Sequence, residues 1–269
     1  MTGARRPALA EAWRLCLGTL SVIPVRPPIR VDRQVCGLAM VLAPAVGLLL
    51  AVPAAGLLWL LELWGRPGGT VAAPLAIGLV AVLTRGLHLD GLADTVDGLG
   101  SRRPGPQALE VMRRGDVGPF GVVALVLVLL VQVAALVQLG AAQAGRAPVA
   151  LLAALVIGRV TLPWACRRGI GAARPDGLGA AVAGTVPLGS ALVATLVSLA
   201  VVTAAASMVG PGPRDTTLLV AAGVAGIATA LAAVTRAARR LGGITGDVLG
   251  FGVELATTAT LALAAVLLG

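Results

Sequence analysis

Residues 119–140 read PFGVVALVLVLLVQVAALVQLG, a stretch without one charged side chain. About 20 apolar residues suffice for a helix to cross the hydrocarbon core of a bilayer, where every backbone group has to be satisfied internally. Comparable runs fall at roughly 37–61, 70–87, 147–165, 187–209, 217–235 and 249–268. The pattern predicts an all-α polytopic membrane helix bundle with about seven transmembrane helices. The run at 70–87 is the weakest, being short and interrupted by Pro74, so a tilted, kinked or partly re-entrant path is expected there. No long linker, low-complexity tail or internal repeat stands out, and residues 1–269 read as a single integral membrane domain.

Composition agrees. Of 269 residues, 58% are hydrophobic and 12% charged, against about 25% charged in soluble domains. The formal net charge of +9 rests on arginine alone, since lysine is absent. These arginines are spread over the loops, as the bias of cytoplasmic loops towards positive charge requires, and nucleic acid is not an expected partner. One set of loops collects Arg5, Arg6, Arg14, Arg26, Arg30, Arg33, Arg85, Arg102, Arg103, Arg113, Arg114, Arg167, Arg168, Arg174, Arg236, Arg239 and Arg240. The alternate set holds Arg66, Arg146 and Arg214, with Arg159 inside the run at 147–165. The partition predicts a cytoplasmic N-terminus, an external C-terminus and a multi-pass protein of the cell membrane. Arg159 is expected to face a polar interior.

Residues 1–35 read as a cytoplasmic or interfacial segment. Leu9, Trp13, Cys16, Leu17 and Leu20 recur at helical spacing with Glu11 and Arg14 opposite, which predicts a short interfacial helix. No cleaved signal peptide is read there. Cys16, Cys36 and Cys166 lack metal or redox spacing and read as reduced structural thiols.

The chemistry concentrates in residues 85–118, read as a cytoplasmic acidic active-site loop and helix. Within Arg85-Gly-Leu-His88-Leu-Asp90-Gly91-Leu-Ala-Asp94-Thr-Val-Asp97-Gly98, the three aspartates stand at i, i+4 and i+7. On a helix they share one face over roughly 10 Å. Like charges clustered at a membrane boundary repel unless a cation neutralises them, and an oxygen-only donor set suits Mg²⁺, with Mn²⁺ as the other choice. A second acidic element, Gly242-Gly243-Ile-Thr245-Gly246-Asp247, leads into the last run, where Glu254 lies on the face of Asp247. Asp90, Asp94, Asp97, Asp247 and Glu254 are thus candidate metal ligands, and His88 is a candidate base. Gly91, Gly98, Thr245 and Gly246 allow backbone approach to a phosphate, and Arg85, Arg113, Arg167 and Arg168 offer forked donors to one.

HLDGLADTVDG at 88–98, MRRGDVGPFG at 112–121 and GGITGDVLGFGVE at 242–254, with LSVIPV and LPWACRRGIG, together resemble the cobalamin-5′-phosphate synthase family, the adenosylcobinamide-GDP ribazoletransferases. The resemblance covers most of the chain. It implies a Mg²⁺-dependent transferase joining α-ribazole, or its 5′-phosphate, to adenosylcobinamide-GDP with release of GMP, late in cobalamin biosynthesis. It also implies a homo-oligomer or assembly with other enzymes of that pathway as possible partners, besides the lipid bilayer. Many members carry an acidic residue, Ser and a basic residue where this chain reads Arg114-Gly115-Asp116, so no role is carried to Asp116. In the implied reaction Asp90, Asp94 and Asp97 hold the metal on the diphosphate, Asp247 completes the shell, and His88 or an aspartate takes the proton of the attacking hydroxyl. Two alternatives use the same carboxylates: another Mg²⁺-dependent membrane phosphotransferase of CDP-alcohol type, or a cation- or proton-coupled secondary transporter, which places its acids near the bilayer midplane.

Overall fold

A computed structural model describes residues 7–65, 70–209 and 212–269. Arg5, Arg6 and Arg66, counted in the arginine partition, lie outside the described residues. Among those described, the secondary structure is helical: α1 (Ala8–Leu20), α2 (Arg33–Trp64), α3 (Ala72–Thr84), α4 (Leu87–Gly100), α5 (Gly105–Val111), α6 (Pro119–Ala142), α7 (Arg146–Ala165), α8 (Gly177–Val182), α9 (Leu188–Val209), α10 (Gly212–Leu241) and α11 (Gly246–Leu268). Six helices, α2, α6, α7, α9, α10 and α11, are long and apolar enough to cross a membrane. The chain is a multi-pass, all-α membrane bundle.

The seventh crossing is irregular. α3 has 13 residues, roughly 20 Å of helix, short of a 30 Å core. It ends where Arg85 and Gly86 both take positive φ, and α4 leaves at 89°. Hydrogen bonds nevertheless fix the faces that α3 joins. At one end of the bundle Arg146, opening α7, bonds Asp215 at 2.6 Å near the start of α10 and also the Leu268 carbonyl that closes α11. At the opposite end the Val22 amide, after α1, donates to the Leu83 carbonyl near the end of α3 at 2.8 Å. α3 therefore returns the chain to the face from which α2 departed. Pro74 falls in its first turn, where a missing N–H is tolerated.

α1 differs from the expected interfacial helix in its registration. Its buried stripe is Glu11, Ala12, Cys16, Leu17 and Leu20, packed on α2, while Leu9 is exposed. Glu11 is inside because its carboxylate accepts the Ile29 amide at 2.7 Å and a bond from Arg14 at 3.1 Å. A partnered carboxylate can be buried where an orphaned one could not.

α7 is the central post, buried along nearly its whole length. α2 approaches it at Gly47, where an added Cβ would meet the Leu155 carbonyl at 2.6 Å. α11 packs on α7 and α10 through further small residues, as membrane interfaces without a hydrophobic driving force require. α6 and α9 present mostly exposed leucine and valine to the surroundings, as lipid-facing helices do.

Candidate active site

α4 lies across the beginnings of two crossing helices. Near its own start it crosses α11: a Cβ on Gly91 would stand 2.7 Å from the Asp247 carbonyl and 3.0 Å from Asp247 Cα, and one on Gly250 would stand 3.2 Å from His88 Cα. Glycine at both positions lets two backbones touch. Towards its end α4 meets α6, where Asp97 accepts the Gly118 amide at 2.7 Å and the Gly121 amide at 3.0 Å. α4 therefore runs across the end of the bundle where α6 and α11 begin.

This packing joins the two acidic motifs. Asp90 and Asp247 line one cavity of about 280 Å³, with His88, Thr245, Gly246, Arg174 and Asp176. Asp94 stands beside them, half-buried; burial and then the charges of Asp90, Asp247 and Asp97 push its carboxyl up to about 6. Thr245 caps α11, accepting the Val248 amide at 3.2 Å, and its hydroxyl lies 3.2 Å from Asp247 Oδ2. The cap fixes where the Asp247 side chain departs. Its loop is tied down by paired backbone bonds, Ile244 N to Gly171 O at 2.9 Å and Ala173 N to Ile244 O at 3.0 Å. Gly243 permits that pairing, since a Cβ there would sit 2.4 Å from the Ala172 carbonyl carbon.

Several anticipated residues fall elsewhere. The two oxygens of Asp97 accept amides at the start of α6, so it anchors α4 there. Glu254 lies seven residues further into α11, roughly 10 Å deeper by helical rise, where Gln132 donates to it at 3.0 Å. Arg85 donates to the Gly18 carbonyl at 3.1 Å and ties α1 to the turn before α4. Gly98 accommodates the Met112 side chain and serves packing. Arg168 is exposed, and Arg167 lines a separate cavity of about 430 Å³ with Arg239, across Ile244 from the acidic one. Arg113 reaches the acidic cavity indirectly, by an ion pair with Asp176 at 2.9 Å.

Arg174, Asp176 and α8 form a wall of the cavity that sequence reading had not singled out. Arg174 bonds the Leu109 carbonyl at 2.7 Å and stands 4.0 Å from Asp247, the nearest cation to the acidic cluster. The signal available was Arg174-Pro175-Asp176, a charged pair about a proline between glycines, in a segment otherwise read only for its arginines.

As oxygen donors, the carboxylates of this cluster are of the chemical kind that a hard divalent cation takes. Asp90, Asp94 and Asp247 are oxygen donors at least partly open to solvent, they crowd like charge together, and among the described residues neither Asp90 nor Asp94 has an ion-pair partner. Among the described residues, no three His, Cys, Asp or Glu side chains stand close enough together, as placed, to hold a metal ion.

Fold and cavity together describe a multi-pass helical membrane protein with an acidic cavity at one end of the bundle. The chain belongs to the cobalamin-5-phosphate synthase family, whose model matches residues 12–265. It is 41% identical to the adenosylcobinamide-GDP ribazoletransferase of a Nocardioides species, over 94% of this chain and 97% of that one. It is 38% identical to the protein of the same name from Frankia casuarinae, over 92% of each, and 34% identical to that from Corynebacterium efficiens, over 94% and 90%. No solved structure matches the chain.

Proposed function

We infer that the chain joins α-ribazole, or α-ribazole 5′-phosphate, to adenosylcobinamide-GDP and releases GMP, completing the nucleotide loop of a cobalamin. One observation supports this reading: the Gly91 contact sets Asp90 of α4 against Asp247 around a single cavity, with Asp94 close beside them. A ribose hydroxyl attacks the phosphorus next to cobinamide, the bond from that phosphorus to the oxygen of the GMP phosphate breaks, and GMP departs with those electrons. The hydroxyl proton passes to a carboxylate of the cluster. Mg²⁺ held by Asp90, Asp94 and Asp247 would supply charge neutralisation on the attacked and leaving phosphates. Arg174 adds positive charge beside Asp247, and the Arg113 to Asp176 pair steadies the cavity rim.

The position of the acids at one end of the bundle favours this reading over a transporter, whose sites lie near the midplane. Protein purified in detergent should form GMP and the cobalamin product from adenosylcobinamide-GDP, ribazole and Mg²⁺. Well-folded protein without turnover would reject the assignment.

The site-bearing face is assigned to the cytoplasm, because it carries Arg102, Arg103, Arg167, Arg239 and Arg240. Single cysteines at positions 102 and 214 of a chain lacking its native thiols should label from opposite sides of sealed vesicles. Labelling of both from one side would reject the topology.

The Asp94 carboxyl, pushed up to about 6, fixes the sign of the pH response. A folded-state value above the unfolded one penalises the charged form, so the metal-free protein should gain thermal stability as pH falls from about 7 through 6 towards the ordinary carboxylate range. Cation affinity should run the other way, weakening by up to about tenfold per pH unit below 6 and levelling above 7. Parallel melting and Mn²⁺-binding series across pH 5–8 check both signs, and Asp94→Asn should flatten both curves.

A further inference from the structure

His88 opens α4, is 3% exposed, and lines the acidic cavity. Its Nδ1 lies 3.4 Å from Nη2 of Arg159. Arg159 is 1% exposed, six residues before the end of α7, and its Nη1 donates to the Leu155 carbonyl at 3.2 Å. Its direction is constrained from α2, where Gly47 brings backbone so near that an added Cβ would stand 3.1 Å from Arg159 Cδ. Glu254, to which Gln132 donates at 3.0 Å, is the acidic side chain whose field reaches Arg159.

A guanidinium has donors and no acceptor, so an imidazole facing it accepts at the facing nitrogen. A neutral imidazole that accepts at Nδ1 carries its hydrogen on Nε2. In His88 that second nitrogen is buried and has no protein partner, an uncommon state for a buried polar atom that calls for a ligand or water. We propose that Arg159 is a positioning residue that holds His88 as its Nε2–H tautomer, so that His88 presents a neutral N–H donor to the substrate diphosphate and does not take the nucleophile's proton. This rests on the reading above that the diphosphate occupies the acidic cavity. It gives a role to an arginine buried inside the bundle.

His88 is the only histidine in the chain, so the full-length protein labelled with ¹⁵N-histidine gives the spectrum of one imidazole. Near neutral pH, without substrate, Nε2 should carry the hydrogen and Nδ1 should be bare. Arg159→Met should yield a mixture of tautomers, and Arg159→Lys, which keeps a donor, should restore the Nε2–H form. Addition of GDP with Mg²⁺ should shift the Nε2–H resonance in the wild-type protein. In turnover assays His88→Gln, which keeps a terminal N–H, should stay within about tenfold of wild type in kcat, whereas His88→Ala should lose about 10²-fold or more. Hydrogen on Nδ1 in the wild type overturns the lock. A resonance indifferent to GDP, or a glutamine variant as inactive as alanine, overturns the donor role. Should Arg159→Met not fold, the wild-type spectrum and the Gln/Ala pair still decide. The substrate-free spectrum is independent of the transferase assignment, so failure of that assignment shows in turnover alone.

Discussion

Asp94→Asn is expected to lower kcat by about 10³-fold while leaving the protein folded, the size of effect associated with losing preorganised charge stabilisation at a reacting centre. Asp94 lies within reach of the charges of Asp90 on its own helix and Asp247 on another, and burial first, then those charges, push its carboxyl up. The amide keeps the shape and removes the charge. The metal-free variant should melt at or slightly above the wild-type temperature at pH 7, because a mutual repulsion has been deleted. It should also need much more Mg²⁺ to reach half its residual rate. A variant with intact turnover and unchanged Mg²⁺ dependence would remove Asp94 from the site.

Gly91→Ala is the second large expected effect, and it acts through the backbone. The new methyl group would have to lie 2.7 Å from the Asp247 carbonyl and 3.2 Å from Gly250 Cα, with no flexible side chain to give way. Overpacking of this kind costs about 1–3 kcal/mol, offset by up to about 1 kcal/mol from the better helix propensity of alanine. α4 must therefore shift on α11. Because Asp90 and Asp94 move with α4 while Asp247 does not, activity should fall by more than tenfold with only a modest drop in melting temperature. Gly78→Ala, also within a helix but with open space around the added Cβ, should be neutral or slightly stabilising in both readouts. Equal behaviour of the two variants would mean that the α4 to α11 contact does not set the site.

Much of this arrangement is legible in the sequence because membrane helices announce themselves by length and apolarity. The 119–140 run and its counterparts locate six crossings, and arginine placement assigns loop ends to faces. α3 is harder: a 13-residue helix followed by an 89° bend is continuous with α4 in hydropathy, and only the left-handed pair Arg85-Gly86 marks the break. The i, i+4, i+7 spacing of the aspartates identifies a helix face. It does not reveal that Asp97 will be taken up by the Gly118 and Gly121 amides, since that depends on where α6 begins in space. Glu254 shares a helix face with Asp247, yet periodicity says nothing of depth along the axis, and Gln132 on α6 engages it. Arg174 and Asp176 escape the sequence because an irregular segment has no period from which to read its direction. The burial of Glu11 leaves no trace in the sequence, because its partner, the Ile29 amide, belongs to a loop whose return path composition does not show.

The central claim is that carboxylates from α4 and from the start of α11 act as one cation site. Mn²⁺ titration followed by electron paramagnetic resonance, in protein purified at neutral pH, tests it most directly. Saturable binding in the wild type should be weakened at least tenfold by Asp90→Asn, Asp94→Asn and Asp247→Asn alike, with Asp116→Asn unchanged. Wild-type affinity retained in Asp247→Asn while the α4 variants lose it would contradict a shared site.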